Sequence, residues 1–379
     1  MLATRGEENA VNYYAADSGI EDALYGLTNN QSYEQKEYIL EYTNSGLNNR
    51  IVNISVVNNP GGLGNTTYKI TSTATHNKSG ASTKIESYIR ATPLKFWEFG
   101  QDAITSNCSV TIHSGSDPMI NGSVTYVCDD GLECPGSGCN IVPPNESMQD
   151  SGGIDWWPET WAIAQYFRDE AEKQGAVHMT GDVEIDVADL SYEISEPPYN
   201  GNLESLGPLY VDGDLEIKSS VNGASASLEG IVYITGDLNI GGTTGVNRDF
   251  TLNLNDQAIF VENKDAIIGG TKYNQGHAEV VINDHCTFTG SGAIFAIGDI
   301  YFAPKLLTTA DEFIFVMSLE GWVNMQPGGD FYGSIAGKLH VDINPNNKIT
   351  RTDGGDFWNT FFDPEPVILK ILTYDIVDR

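Results

Sequence analysis

One short phrase recurs four times in this chain: a glycine, five mostly apolar residues, then Gly-Asp, with the two glycines six positions apart. The copies run from Gly175 to Gly181-Asp182, Gly207 to Gly213-Asp214, Gly230 to Gly236-Asp237 and Gly292 to Gly298-Asp299. Each Gly-Asp is followed by apolar alternation: Val183 and Ile185, Leu215 and Ile217, Leu238 and Ile240, Ile300 and Phe302. A pair of short strands meeting at a sharp corner explains the phrase, because glycine accepts positive φ and aspartate can bond nearby backbone. The copies start 32, 23 and 62 residues apart, which suits stacked coils with further rungs between the last two. Short apolar segments such as Phe250–Leu254, Ala258–Val261, Ala278–Ile282 and Phe313–Val316 supply those rungs, and Ser109–Ile112 with Ser123–Tyr126 reads as the first coil. Residues 98–350 are therefore expected to form a parallel β-helix. The rival is an antiparallel sandwich, which needs two-residue hairpin turns, and few such signals occur.

Composition agrees with a mainly β fold. The 379 residues include 40 Gly and 31 Asn, poor helix formers that favour turns. With 20 basic and 52 acidic side chains the net charge is −32, which repels phosphate backbones and anionic membranes. Nucleic acid is excluded as an expected partner. No run of 18 apolar residues is present to span a bilayer.

The first segment has a different period. Glu7 to Leu27 has apolar residues at helical spacing, with Asn29-Asn30 as a stop and Gly19 weakening the middle. From Tyr38 the period becomes two, through Ile51, Ile54 and Val56, Tyr68–Ala74 and Lys84–Arg90. Residues 1–97 thus read as a helix on a small antiparallel sheet. The run Ala15-Ala16-Asp17-Ser18-Gly19-Ile20-Glu21-Asp22-Ala23-Leu24 resembles the segment after the membrane helix in type IV pilin-like proteins of the PilX kind. The resemblance covers about the first 90 residues. It implies an extracellular subunit that assembles with other pilin-like subunits or itself through Val11, Tyr14, Ala15, Ile20, Leu24 and Leu27. It also implies a leader and membrane segment, of which only Met1-Leu2-Ala3 could be the tail, so membrane contact would run through a segment not in this chain. The Gly-Asp coils are similar to those of bactofilin-like surface proteins.

Two further segments flank the repeats. Pro158 to Gln174 predicts a helix on the side of the coils, with Trp161, Ala164, Phe167 and Ala171 inward and Arg168 among the charges facing water. Trp156 and Trp157 either dock that helix or offer a sugar platform. Residues 351–379, aromatic and then apolar, are expected to cap the coils or fold back as a last strand.

Chemistry is sparse. Cys108, Cys128, Cys134 and Cys139 lie close together without a C-x-x-C pair, so disulfides are expected, with a metal site or free thiols as alternatives. Cys286 reads as a buried small hydrophobe. Sequons at Asn30, Asn53, Asn65, Asn77, Asn107, Asn121 and Asn145 make glycosylation an expectation of the extracellular reading. Asp342, Asn344, Asn346, Lys348 through its carbonyl, Thr350 and Asp353 have the spacing of a calcium loop, with Asn347 in place of the usual glycine. The same segment also reads as a plain Asn-rich turn. No nucleophile motif is present, and no catalytic residues are assigned. If the corners stack, Asp182, Asp214, Asp237 and Asp299 line one edge, as turn formers or as the carboxylates of a polysaccharide-active enzyme. The reading is a non-catalytic surface subunit with calcium as its ion and surface glycans as a further partner. A secreted β-helix enzyme or a carbohydrate-binding module is the alternative.

Overall fold

A computed structural model describes residues 2–29, 35–42, 50–58, 60, 67–93, 101–113, 119–127, 132–133, 140–142, 146–148, 157, 160–195, 198–242, 248–262, 280–345, 347–352, 354, 357 and 367–377. The chain divides into two compact units, Met1–Leu94 with Pro364–Arg379, and Lys95–Asp363.

The first unit contains helix α1 (Leu2–Asn29) and strands β1 (Gln35–Tyr42), β2 (Arg50–Asn58), β3 (Thr67–His76) and β4 (Ser82–Pro93), which pair antiparallel in that order. Alternation decides the faces. Val52, Ile54 and Val56 of β2, Ile70 and Ala74 of β3, and Ile85 and Ile89 of β4 point into one core. Helix α1 closes that core with Ala15, Ala16, Ile20, Ala23 and Leu27. A polar tie reinforces the contact: buried Asn12 donates Nδ2 to Ala81 O at 3.1 Å and accepts from Arg50 Nε at 2.5 Å. Gly19 is where helix and sheet come closest. A Cβ there would sit 2.8 Å from Val52 Cγ1 and closer still to Ser72 Oγ.

Of the two expectations for residues 351–379, a cap on the coils or a fold-back strand, the C-terminus follows the second, but on the small sheet. Val367–Val377 pairs antiparallel with β4 as the edge strand of the small sheet. Phe357 stays with the second unit, 5.9 Å from Phe313 between ring centres. The alternating apolar tail adds a fifth strand to a sheet that its own N-terminal strands started.

Among the described residues, Lys95–Asp363 forms sheets of 13, 11 and four strands. Every pair is parallel except the meander Val183–Asp186, Ser191–Ile194, Tyr199–Asn202. The chain takes the sheets in turn: Leu209–Asp212 in the first, Leu215–Lys218 in the second, Ala224–Ser227 in the third, and Val232–Ile234 back in the first beside Leu209. The parallel pairing rules out the antiparallel sandwich. Inward residues from all three sheets meet in one core, for example Val211, Ile217, Ile234, Leu252 and Ile282. The second sheet alternates buried and half-buried residues, whereas Ile314–Ser318 and Gly292–Ala296 of the first are buried throughout. Continuous burial means both faces of that sheet are covered.

The order of the rungs also departs from expectation. Ser109–Ile112 pairs with His340–Ile343, and Ile104–Ser106 with Asp330–Gly337, so the first coil lies against the last and not against Val177. Helix α2 (Thr160–Lys173) makes the return: Trp157 reaches Leu319, Arg168 reaches Glu262, and Gln174 reaches Ile231. Fourteen residues of helix run about 21 Å, roughly four strand spacings of ~4.8 Å.

Candidate functional site

The outer face of the first sheet carries a ladder of rings in register. His178, Tyr210, Tyr233, Phe260, Phe295 and Phe315 are successive partners, with adjacent centroids 4.8–6.5 Å apart. Helix α2 covers the ladder with Ala162, Ile163, Ala164, Phe167 and Ala171. Phe167 sits 5.0 Å from Phe260 and 4.7 Å from Phe295.

This docking turns α2 away from the expected face. Trp161 was read as inward and is 56% exposed. Arg168 was read as facing water and instead bonds the sheet. Trp161, Gln165 and Arg168 form the next stripe round the helix, at i, i+4 and i+7, and that stripe borders a groove of about 810 Å³.

The groove is walled by two ion pairs. Arg168 Nη2 donates to Glu262 Oε2 at 2.8 Å and to Tyr233 Oη at 3.2 Å, and Tyr233 Oη donates to the same Glu262 oxygen at 2.5 Å. The guanidinium lies 5.5 Å from the Tyr233 ring centre. Burial, then the bond to Glu262, pushes the Tyr233 phenol well above its ordinary pKa. Burial opposes the Arg168 charge, but bonds to Tyr233 and Glu262 more than offset it, and the guanidinium pKa rises. Further along, Lys338 Nζ donates to Glu320 Oε2 at 2.5 Å, and Thr160 Oγ1 donates to Glu320 Oε1. Trp157 Nε1 donates to Leu319 O at 3.0 Å, and Trp156 lies outside the described residues. Arg168, Glu262, Glu320 and Lys338 carry no motif. The signal for Arg168 was its place four residues from Ala164 and three from Ala171 on an otherwise apolar flank.

The repeated Gly-Asp corners do stack. Asp182 Oδ1 accepts from Asp214 N at 3.3 Å, Asp214 Oδ1 from Asp237 N at 2.8 Å, and Asp299 Oδ1 from Trp322 N at 2.8 Å. Burial raises the Asp299 pKa, with the Trp322 N–H opposing it. Asp182, Asp214 and Asp237 border a second groove of about 490 Å³ with Glu184, Glu193 and Glu216. Lys218 pairs there with Glu184 at 2.6 Å.

The calcium-loop residues do not lie on one loop. Asp342 ends up in strand His340–Ile343, and Lys348 and Thr350 in strand Lys348–Thr350, which belongs to another sheet. Asp342 Oδ1 is 2.8 Å from His113 Nε2, and Asn324 Nδ2 donates to its Oδ2 at 3.2 Å. Asn344 Nδ2 donates to Asn324 Oδ1 at 2.9 Å, and Lys348 Nζ to Asp330 at 2.7 Å. Buried Asn347 donates to Met325 O and Asn344 O at 2.9 and 3.0 Å, which fixes a corner between rungs. Asn346 and Asp353 lie outside the described residues. Among the described residues, no group of three or more His, Cys, Asp or Glu is placed to hold a metal ion.

Cys108 is disulfide-bonded, and Cys128, Cys134 and Cys139 lie outside the described residues. Cys286 is free and buried, and burial pushes its thiol pKa up. Of the sequons, Asn53, Asn77 and Asn121 are exposed and Asn107 is half-buried; Asn30, Asn65 and Asn145 are not among the described residues. Of the assembly residues, Ala15, Ile20 and Leu27 are buried in the unit's own core, which corrects their reading as an intermolecular face. Val11 and Leu24 are half-buried, and Tyr14 is 61% exposed. No described helix is long and apolar enough to cross a membrane.

No family model matches the sequence, and no curated protein is a match. Among solved structures the chain is similar to the competence-associated pilin ComZ from Thermus thermophilus, with 10% identity over 97% of each chain and a TM-score of 0.27. It is also similar to an ice-binding protein (LeIBP) from Arctic yeast, with 10% identity over 67% of this chain and 91% of that one and a TM-score of 0.18. Both likenesses are remote.

Proposed function

We propose that the chain is an extracellular, non-catalytic, pilin-like subunit of the PilX kind whose first unit assembles and whose second unit, a parallel β-helix, is displayed. The observation that carries this reading is the division of labour on α1. One stripe of the helix is used up inside its own unit, by Ala15, Ala16, Ile20, Ala23 and Leu27. The stripe containing Tyr14, Ser18, Glu21 and Tyr25, at i, i+4, i+7 and i+11, holds the two most exposed aromatic rings of the helix, at 61% and 72%. The cyclic visiting order of three parallel sheets, with zero-offset register from rung to rung, supports the β-helix. Asp182, Asp214 and Asp299 support a structural role, since their carboxylates are engaged by backbone N–H groups.

Labelling of intact cells that express the protein tests the proposal. An antibody to the second unit should bind without permeabilisation and decorate filaments in electron micrographs. Labelling that appears only after permeabilisation would sink it.

A further inference from the structure

We propose that the groove beside α2 is a binding site for a neutral oligosaccharide. Four observations converge on that class of ligand. The groove is concave and about 810 Å³, within the range of small-molecule sites. Trp161 borders it and keeps 56% of its surface exposed, although neighbouring Ala162, Ile163 and Ala164 are buried. An indole exposed at a groove rim suits the C–H face of a pyranose ring, which is apolar while its edge is polar.

The charges decide what kind of sugar fits. Glu262 is matched by Arg168 and Glu320 by Lys338, so the groove is locally balanced in a chain of net charge −32. An acidic sugar would meet two carboxylates whose bases are already engaged, against an unfavourable overall field. A hydroxyl is different. It can donate to a carboxylate and accept from the adjacent guanidinium or ammonium without adding charge.

The groups are also held in place before any ligand arrives. Glu262 is fixed by Tyr233 and Arg168, Glu320 by Lys338 and Thr160, and Trp157 by its bond to Leu319 O. Fixed polar groups lose little freedom on binding. This proposal deepens the display reading by naming what the displayed unit would grip, and the two fail separately. Binding is measured on purified chain, assembly on cells.

The test is calorimetric titration of the full chain with tetramers of glucose, mannose, galactose and N-acetylglucosamine, and with tetragalacturonate as the acidic counterpart. At least one neutral tetramer should bind saturably. Trp161→Ala should weaken it ~tenfold or more, Trp161→Phe less, and Leu307→Ala, exposed and not bordering the groove, should leave it unchanged. The proposal is overturned if no neutral tetramer saturates by ~10 mM, if Trp161→Ala binds as the parent does, or if tetragalacturonate binds more tightly than every neutral tetramer.

Discussion

Arg168 on α2 and Glu262 at the end of a parallel strand meet at 2.8 Å, and the phenol of Tyr233 bonds to both. This pair fastens the helix to the sheet beside the ring ladder. Removing Arg168 leaves Glu262 and a buried phenol oxygen short of a donor. Such losses cost ~1–3 kcal/mol, and solvent at the partly exposed arginine favours the low end. Hydrogen exchange in Ala162–Ala171 should therefore speed up in Arg168→Ala, and less so in Arg168→Lys. The raised Tyr233 pKa adds a pH signature. Below pH ~10 the phenol is protonated folded and unfolded, so its contribution is constant. Above that, only the unfolded phenol ionises, and the docking should weaken as pH climbs. Tyr233→Phe should reduce that alkaline trend, leaving the part due to Tyr166 on α2, whose phenol pKa burial also raises.

The corner glycines and aspartates make a second prediction. Gly213 has φ of 155°, and a Cβ there would lie 2.5 Å from Gly181 O of the neighbouring rung. Gly213→Ala should cost ~3 kcal/mol or more, because backbone cannot yield without breaking the next corner. Asp214→Ala should cost about 1 kcal/mol through the lost bond to Asp237 N. Asp214→Asn keeps an acceptor oxygen and should be near neutral. Thermal unfolding of the three variants checks the order. Equal losses in Ala and Asn would point away from the backbone acceptor role.

Those corners were legible in the sequence because part of their cause is local: Gly181 and Gly213 take positive φ, and two-residue alternation acts within a few residues, whereas the aspartates bond the next rung, 23–32 positions away. The rung order was not. Ser109–Ile112 reads as a strand, but nothing local says that it pairs with His340–Ile343, over 200 positions away, once α2 has carried the chain back. The surroundings of the calcium-loop segment were hidden for a related reason. Asn344 and Asn347 are consumed by Asn324 and Met325 of the preceding rung, which no linear spacing reveals. Trp161 was misplaced because three of the four residues read as inward fit more than one helical stripe, and the ring ladder beneath Phe167 selects the stripe.

Gly19 reverses the usual rule for a helical glycine. On an exposed helix, Gly→Ala stabilises by ~1 kcal/mol. Here the new methyl would press on Val52, which is fully buried, and on Ser72. Overpacking of this kind costs ~1–3 kcal/mol and should win. Gly19→Ala should thus lower the stability of the first unit, read as faster exchange in β2 and β3. A gain in stability would show that α1 can lift off the sheet.

Cys286 should behave as a sealed thiol. It is buried, and its raised pKa keeps the reactive thiolate scarce at neutral pH. Maleimide should label it only after denaturation, located by peptide mass. Fast labelling of the native chain would mean that the third sheet opens at Cys286–Thr289.

The two exposed tyrosines of α1 separate folding from assembly. Tyr14 and Tyr25 stand three helical turns apart, about 16 Å, on the side away from Ile20 and Leu27. Replacing both with serine removes rings that are 61% and 72% exposed, so stability should change by no more than ~0.5 kcal/mol. If that face docks against neighbouring subunits, the loss there should be far larger, because exposed aromatic rings carry a disproportionate share of interface energy. Tyr14→Ser/Tyr25→Ser should therefore fold normally by circular dichroism yet fail to enter filaments. Ile20→Ser, which opens the unit's own core, should lose the fold first. Filaments that incorporate the double variant at parental levels would place the assembly contact elsewhere than on α1.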